Sequence, residues 1–336
     1  MKIKEYASLA AHNTFHIDVR TRYLIDVETP DDIVSLIHST HFSPHPKLIL
    51  GAGSNILFTH DFEGCTIRPL IKGIKIIKET NDNVVLKVGA GERWDTFVQY
   101  CVEKGFGGLE NLSLIPGTVG ACPIQNIGAY GKEVKEVIVS VDAIDLLSGN
   151  KKRYNNKECQ FSYRSSIFKS MLKNSIIITY VIFNLDKHAH YTLHYKGLKA
   201  EISKYDSPTF QNIRDAVITI RRRKLPDPEV LGNAGSFFKN PVTDRQQLDG
   251  ILKLWPACPF FEDADGNIKL SAAWMIEQAG FKGYKENDVG TFQLQPLVIV
   301  NYGRASGKEV LLFAQKIHQG VFEKFGIDLE MEVNII

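Results

Sequence analysis

Cysteine is scarce in this sequence, no charge sign dominates it, and it has no long apolar run. The five cysteines, Cys65, Cys101, Cys122, Cys159 and Cys258, form no CxxC pair and no metal-ligand spacing. Their odd number and wide separation argue against a disulfide framework and fit small, partly buried thiols in a reducing compartment. Lys and Arg number 40 against 38 Asp and Glu, a net charge of +2. That balance excludes general steering toward a polyanion, and basic residues cluster only at Arg221 to Lys224. No stretch approaches the roughly 20 apolar residues a membrane span requires. The opening Met-Lys-Ile-Lys-Glu-Tyr lacks the apolar core of a signal peptide. A cytoplasmic, soluble chain is expected, with no metal, no membrane and no nucleic acid among its partners. A monomer is the default, because no heptad or large apolar stripe stands out.

What is present suits an α+β protein of two or three domains across 336 residues. Thr29, Pro30 and Asp32 predict a helix start, with Ile33, Leu36 and Ile37 as its apolar face. Lys47 to Leu50 reads as a strand, and Ile74 to Ile77 with Val84 to Val88 as a hairpin. A helix carrying Phe97, Val98, Cys101 and Val102 inward closes at Gly105. Strands resume over 137–147 and 175–185. Ser207-Pro208 is expected to cap a helix with Ile213, Val217 and Ile220 on one face, whose basic end suits the helix dipole. Ser271 to Ala279 and a segment opened by the Ser306/Glu309 capping box are further helices, and residues 329–336 are strand-like.

Two Gly-Ala-Gly turns, at 51–53 and 89–91, each follow a strand. The Rossmann fingerprint needs a third glycine, but Ile56 and Trp94 stand there, so a dinucleotide fold of that type is excluded. Such turns are more often bends than phosphate cradles, although Ser54 and Asn55 add donors that suit a pyrophosphate. The segment Leu112 to Gly131 holds Gly117, Gly120, Gly128, Gly131, Pro116 and Pro123 and no charged residue. It is either a buried crossover or a wall of backbone donors against a planar, partly anionic ligand. Asn233-Ala-Gly-Ser236 is no Gly-x-Ser-x-Gly elbow, so a serine hydrolase is not indicated.

Five blocks, in order along the chain, resemble the UDP-N-acetylenolpyruvoylglucosamine reductase family. They are Gly51-Ala-Gly-Ser-Asn-Ile-Leu57, Ile115-Pro-Gly-Thr-Val-Gly120 through Gln125-Asn-Ile-Gly-Ala-Tyr-Gly131, Tyr163-Arg-Ser-Ser-Ile-Phe-Lys169, Gly232-Asn-Ala-Gly-Ser-Phe-Phe-Lys-Asn-Pro241 and Ser271-Ala-Ala-Trp274. The resemblance implies an FAD-binding fold of the vanillyl-alcohol-oxidase type in two subdomains, 1–70 and 71–206, followed by an α+β substrate domain, 207–336. It implies that Gly51, Gly53, Ser54 and Asn55, with Ile115, Pro116, Gly117, Thr118 and Gly120, line the FAD pyrophosphate. Gln125, Asn126, Ile127, Gly128 and Ala129 would approach the flavin, and Arg221 would lie near the cofactor; simple dipole complementarity is the alternative for Arg221.

By the same resemblance, NADPH reduces FAD and the hydride then passes to UDP-N-acetylglucosamine enolpyruvate, giving UDP-N-acetylmuramate for the cell wall. Hydride addition loads charge onto the substrate carboxylate, which a cation and a hydrogen-bonding acid must stabilise where it develops. Arg164 and Glu332 are matched to those roles, with Glu330 as the competing register, and Ser236 to the proton donor. Tyr195, Lys224 and Asn240 are matched to substrate contacts. The sequence departs from the family's pattern at Phe292, where a histidine is usual, and at Asn334, where an arginine is usual. The rival readings are another flavin oxidoreductase of the same fold, which would lack the Arg164, Ser236 and Glu332 set, and a non-catalytic FAD- or nucleotide-binding protein.

Overall fold

Alternation builds the first half of the chain. In the strand Asn83–Gly89, Val84, Leu86 and Val88 are buried while Val85 and Lys87 are only half-buried, the period of a one-sided sheet. The computed structural model describes residues 1–188, 190–262 and 266–336. Two compact units divide them. Met1–Ala7, Thr21–Ala52 and Phe62–Arg221 form one, and Ser8–Arg20, Gly53–Asp61 and Arg222–Ile336 form the other.

The first unit carries two sheets. One orders the strands Lys2–Ser8, Arg20–Val27, Phe62–Pro69 and Lys47–Ile49, the last three mutually parallel. The helix α1, Pro30–Ile37, covers it, and both arms of a Thr29/Asp32 capping box are made. Its Ile33 and Leu36 are buried with Ile25, Val27 and Ile67. The other sheet is antiparallel, in the order Lys151–Asn155, Ile138–Asp145, Ile176–Asp186, Asn83–Gly89, Ile74–Glu79. The turn at 148–150 therefore leads into Lys151–Asn155, a polar strand with no apolar alternation to announce it.

Helix α2, Trp94–Glu103, buries Phe97, Val98, Cys101 and Val102 against this sheet as its apolar stripe requires. Trp94 is also buried, and its Nε1 donates to Leu112 O at 2.9 Å, satisfying the indole's only polar atom. Each such fully buried side chain contributes about 1.5–3 kcal/mol relative to exposure. Helix α3, Lys196–Ile202, and helix α4, Phe210–Lys224, share a small core of Leu198, Ile213, Val217 and Ile220. Helix α4 starts later than Ser207-Pro208 suggested. Thr209 Oγ1 accepts from Asn212 N at 3.0 Å, while Ser207 O is taken by the Asn212 side chain.

In the second unit the strands Gly232–Ser236, Gln295–Asn301, Val289–Phe292 and Lys285–Glu286 form an antiparallel sheet. Helix α5, Arg245–Leu254, starts on an Asp244 cap, and α6, Ala272–Gln278, on Ser271. Helix α7, Gly307–Phe325, begins on the expected Ser306/Glu309 box and ends at Gly326 in the left-handed region. The final segment is not one strand. Met331 bridges Phe238, and only Asn334–Ile335 forms a ladder, parallel to Ile56–Leu57. Pairing with two different partners breaks the regular strand expected over 329–336. No helix among the described residues is long and apolar enough to cross a membrane.

Candidate active site

In the first unit, the charge-free segment is held from behind by the second glycine turn. Gly120 N donates to Ala90 O at 2.8 Å, Val119 N to Glu92 O at 2.9 Å, and Gly117 O accepts from Trp94 N at 3.1 Å. A side chain at Gly51 would meet Thr118 Oγ1 at 3.0 Å, so the first glycine turn and the Ile115–Gly120 segment are neighbours. The residue before that segment, Leu114, has φ of 58°. For a leucine this costs on the order of 1–3 kcal/mol and persists only where surroundings enforce it. Asp95 does so: Leu114 N donates to its Oδ1 at 2.5 Å, and Arg214 clamps both carboxylate oxygens at 2.6 and 2.9 Å. Burial alone would raise the Asp95 carboxyl; the Arg214 and Leu114 hydrogen bonds overcome it and hold the group below the usual range.

Arg221 lies two helical turns beyond Arg214 on α4, the same face. Its Nε is sealed from solvent with no protein partner among the described residues. Burial pushes its pKa down, against the fields of Tyr130 and Asp95. This is not a solvated cation completing a helix dipole. A half-buried guanidinium whose sealed Nε has no protein partner among the described residues fits an anionic ligand, which is the test an FAD site must meet.

Gln125 to Ala129 run beside the turn that bears Arg164. Asn126 is buried, and its side chain is fully engaged: Nδ2 donates to Glu133 Oε2 at 2.9 Å and Ser162 O at 3.1 Å, and Oδ1 accepts from Lys135 N at 3.0 Å. Arg164 sits in a tight turn closed by Ser162 and Ser165, with φ of 52°. Its Nη2 donates to Gly128 O at 2.7 Å, and the guanidinium lies over the Tyr163 ring at 5.2 Å. Tyr195 is 41% exposed and packs edge-on against Tyr130 at 5.2 Å. Burial raises the Tyr130 phenol, Arg221 opposing it.

In the second unit, Gly53 has φ of 67°, and a side chain there would collide with His12 O at 2.0 Å, so the turn is backbone against backbone. Ser54 and Asn55 follow it, and Asn55 Nδ2 reaches Glu332 O at 3.3 Å. Asn334, the departure from the family's arginine, donates Nδ2 to Asn55 O at 3.0 Å. The strand carrying Ser236 bulges between Asn233 and Ser236. Asn233 Oδ1 accepts from Gly235 N at 2.9 Å, and Gly235 takes φ of 70°. A bulge of this kind re-aims the next side chain. Ser236 is half-buried, and its hydroxyl makes no hydrogen bond to the protein among the described residues.

Glu332 N donates to Phe237 O at 2.8 Å, which brings Glu332 alongside Ser236 in sequence register. Glu330 is exposed and bound to the Lys239 ammonium. Lys224 is exposed at the end of α4, and Asn240 Oδ1 accepts from Ala272 N at 3.1 Å, capping α6. Sequence reasoning passed over Asp95 and Arg214. The signal for Arg214 was its place between Ile213 and Val217 on an apolar helix face, where a charge demands a partner.

Residues 21–152 match an FAD binding domain, so the chain carries a flavin-binding module. Residues 227–336 match the C-terminal domain of UDP-N-acetylenolpyruvoylglucosamine reductase. A protein of that name from Bacteroides fragilis is 45% identical over 98% of both chains, and one from Amoebophilus asiaticus 46% identical over 100% of both. The chain belongs to the UDP-N-acetylenolpyruvoylglucosamine reductase family. The crystal structure of a member from Thermus caldophilus, 23% identical, superposes with a TM-score of 0.70 over 100% of this chain and 99% of that one. The α+β FAD-binding fold implied by the resemblance is thereby borne out.

Proposed function

We propose that this chain is the FAD-dependent oxidoreductase that converts UDP-N-acetylglucosamine enolpyruvate to UDP-N-acetylmuramate, with NADPH as reductant, in peptidoglycan synthesis. Family membership over the full chain supports the reaction class. The observation that carries the chemical roles is Ser236: a hydroxyl presented by a bulge, without a protein partner among the described residues, next to the segment bearing Glu332.

The FAD pyrophosphate lies against Gly51, Gly53, Ile115, Pro116, Gly117, Thr118 and Gly120, Pro116 and Gly120 by contact alone, with Ser54 and Asn55 as side-chain donors and Arg221 as the half-buried cation. Gln125, Ile127, Gly128 and Ala129 line the flavin. Asn126 acts there through its backbone, since its side chain is taken. When bound, FAD supplies hydride chemistry, drawing on NADPH and serving the vinyl carbon of the enolpyruvyl ether.

Arg164 receives the negative charge that develops on the substrate carboxylate, as a planar guanidinium fork suits. Its unfavourable backbone conformation and its bond to Gly128 O hold the fork in place before substrate arrives. Glu332 assists as the hydrogen-bonding acid. Ser236 Oγ donates its proton to the carbon next to the carboxylate. A serine is far too weak an acid for most donors of this kind, so the role requires a strongly basic carbon held in line with the hydroxyl. Tyr195 and Lys224 bind the diphosphate. Asn240 acts through its amide nitrogen, its oxygen being the α6 cap. Reduced, buried thiols suit a cytoplasmic site of action, and the protein acts as a monomer.

The test is NADPH oxidation by the purified yellow protein, with and without the enolpyruvyl sugar nucleotide, for wild type and Ser236→Ala. Turnover that depends on substrate and collapses in the variant, while NADPH still bleaches the flavin, is the expected result. A colourless protein, or NADPH consumption indifferent to the sugar nucleotide, would overturn the reading.

A further inference from the structure

Two elements proposed to bind the cofactor, the segment after Leu114 and helix α4, converge on Asp95. Its Oδ1 accepts from Leu114 N at 2.5 Å, immediately before Ile115-Pro116-Gly117, and Arg214 Nη1 and Nη2 bind its two oxygens at 2.6 and 2.9 Å. Arg214 is only 5% exposed, while the Asp95 side chain keeps 31% of its surface open. Arg221, seven residues along the same helix face, lies close enough to Asp95 for each charge to bias the other's titration. The first turn of α2 contributes Asp95, and the same turn contributes Trp94, whose N–H holds Gly117 O at 3.1 Å and whose indole holds Leu112 O at 2.9 Å. Leu112 O, Leu114 N and Gly117 O, around the entry to Ile115–Gly117, are thus tied to Trp94 and Asp95.

We infer that Asp95, locked by Arg214, is a positioning residue for FAD: it holds Leu114 in the left-handed conformation that directs the backbone N–H groups of Ile115, Gly117 and Thr118 at the pyrophosphate. This rests on the reading that Ile115–Gly120 and Arg221 bind FAD. A carboxylate suits the task because one oxygen pair can satisfy a backbone N–H and a bidentate guanidinium together. A merely structural ion pair would need the second function of neither oxygen. Without the acceptor, Leu114 loses the bond that stabilises its φ of 58° and relaxes toward ordinary backbone angles, and the donors after it swing away.

Removing Asp95 alone strands the buried Arg214 charge, so single variants confound folding with positioning. The informative comparison is between two proteins that both lack the charged pair. Asp95→Asn with Arg214→Met keeps an oxygen acceptor for Leu114 N; Asp95→Leu with Arg214→Met does not. The FAD dissociation constant is measured by free-flavin fluorescence on dilution of each holoenzyme, together with the apoprotein melting midpoint and with Arg221→Met as a separate arm. We expect the leucine protein to bind FAD at least about tenfold more weakly than the asparagine protein, the loss of one well-placed hydrogen bond, at similar apoprotein midpoints. Equal FAD affinity in the two double variants would overturn the inference. Wild-type affinity in Arg221→Met would instead overturn the cofactor reading on which it rests.

Discussion

Gly53 and Gly235 both take positive φ, yet they do so for different reasons, and the two should respond differently to alanine. At Gly235 an added Cβ meets nothing within 4 Å, so the cost is the backbone term alone, about 1–2 kcal/mol for a left-handed non-glycine residue. Because that conformation aims Ser236, Gly235→Ala should lower turnover by more than the stability loss explains, with flavin content unchanged. Urea unfolding and steady-state kinetics measured on one preparation check this; full activity would show that the bulge does not aim the serine. At Gly53 the Cβ would lie 2.0 Å from His12 O and 2.8 Å from Asn13 Cα, both backbone atoms that no rotamer can move. Gly53→Ala should cost at least about 3 kcal/mol, the upper end for overpacking, or fail to accumulate as folded protein. A variant within about 1 kcal/mol of wild type would refute the packing argument.

Among the elements, the hairpin joining Ile138–Asp145 to Lys151–Asn155 is closed by Asp145. Its Oδ1 accepts from Ser148 N at 2.9 Å, Ser148 Oγ at 2.9 Å and Leu147 N at 3.1 Å, and Oδ2 pairs with Lys152 at 3.1 Å. The Ser148 bonds foremost hold this carboxyl down to about 2. An unfolded aspartate titrates near 3.9, so the depressed folded value contributes stability that is present above about pH 4 and lost as pH falls toward 2. Asp145→Asn should therefore flatten the stability–pH curve between about pH 4 and 2 relative to wild type. Parallel curves for the two proteins in acid denaturation would show that the turn does not titrate as described. The helices were the most legible elements. Thr29, Ser271 and Ser306 announced their starts because a cap is a local interaction readable from a few residues. Strand Lys151–Asn155 was silent because it has no buried face, and α3 because it is only seven residues long; α5 was passed over although Leu248 and Ile251 mark its buried face and Asp244 its cap.

Over the whole molecule, chemistry is concentrated in donors and cations, and the thiols are withdrawn from it. All five cysteines are free and buried. Burial raises Cys101 and Cys122 well above the ordinary thiol range and pushes Cys159 up to about 12. Ellman's reagent should react slowly with native protein and with all five thiols once it is unfolded; a fast stoichiometric reaction in the native state would contradict the burial. Ligand binding should also register globally. Excess FAD at 100 times its dissociation constant should stabilise the apoprotein by about 2.7 kcal/mol, seen as a raised melting midpoint. An unmoved midpoint would count against an FAD site.

The sequence by itself determined the family, the FAD chemistry and the absence of a Rossmann turn, because these reside in contiguous motifs whose glycines and small polar residues have local meaning. It also marked Ser236 and Arg164, each inside such a motif. Only the tertiary structure decided that Asn126 has no side-chain atom left for a ligand, that Glu330 is tied to Lys239, and that the Arg221 Nε is sealed with an open donor. It alone joined Asp95 to Arg214 and Leu114. Hydrogen-bond saturation and burial are properties of groups far apart in the chain, and no local pattern can show whether a polar atom will meet its partner.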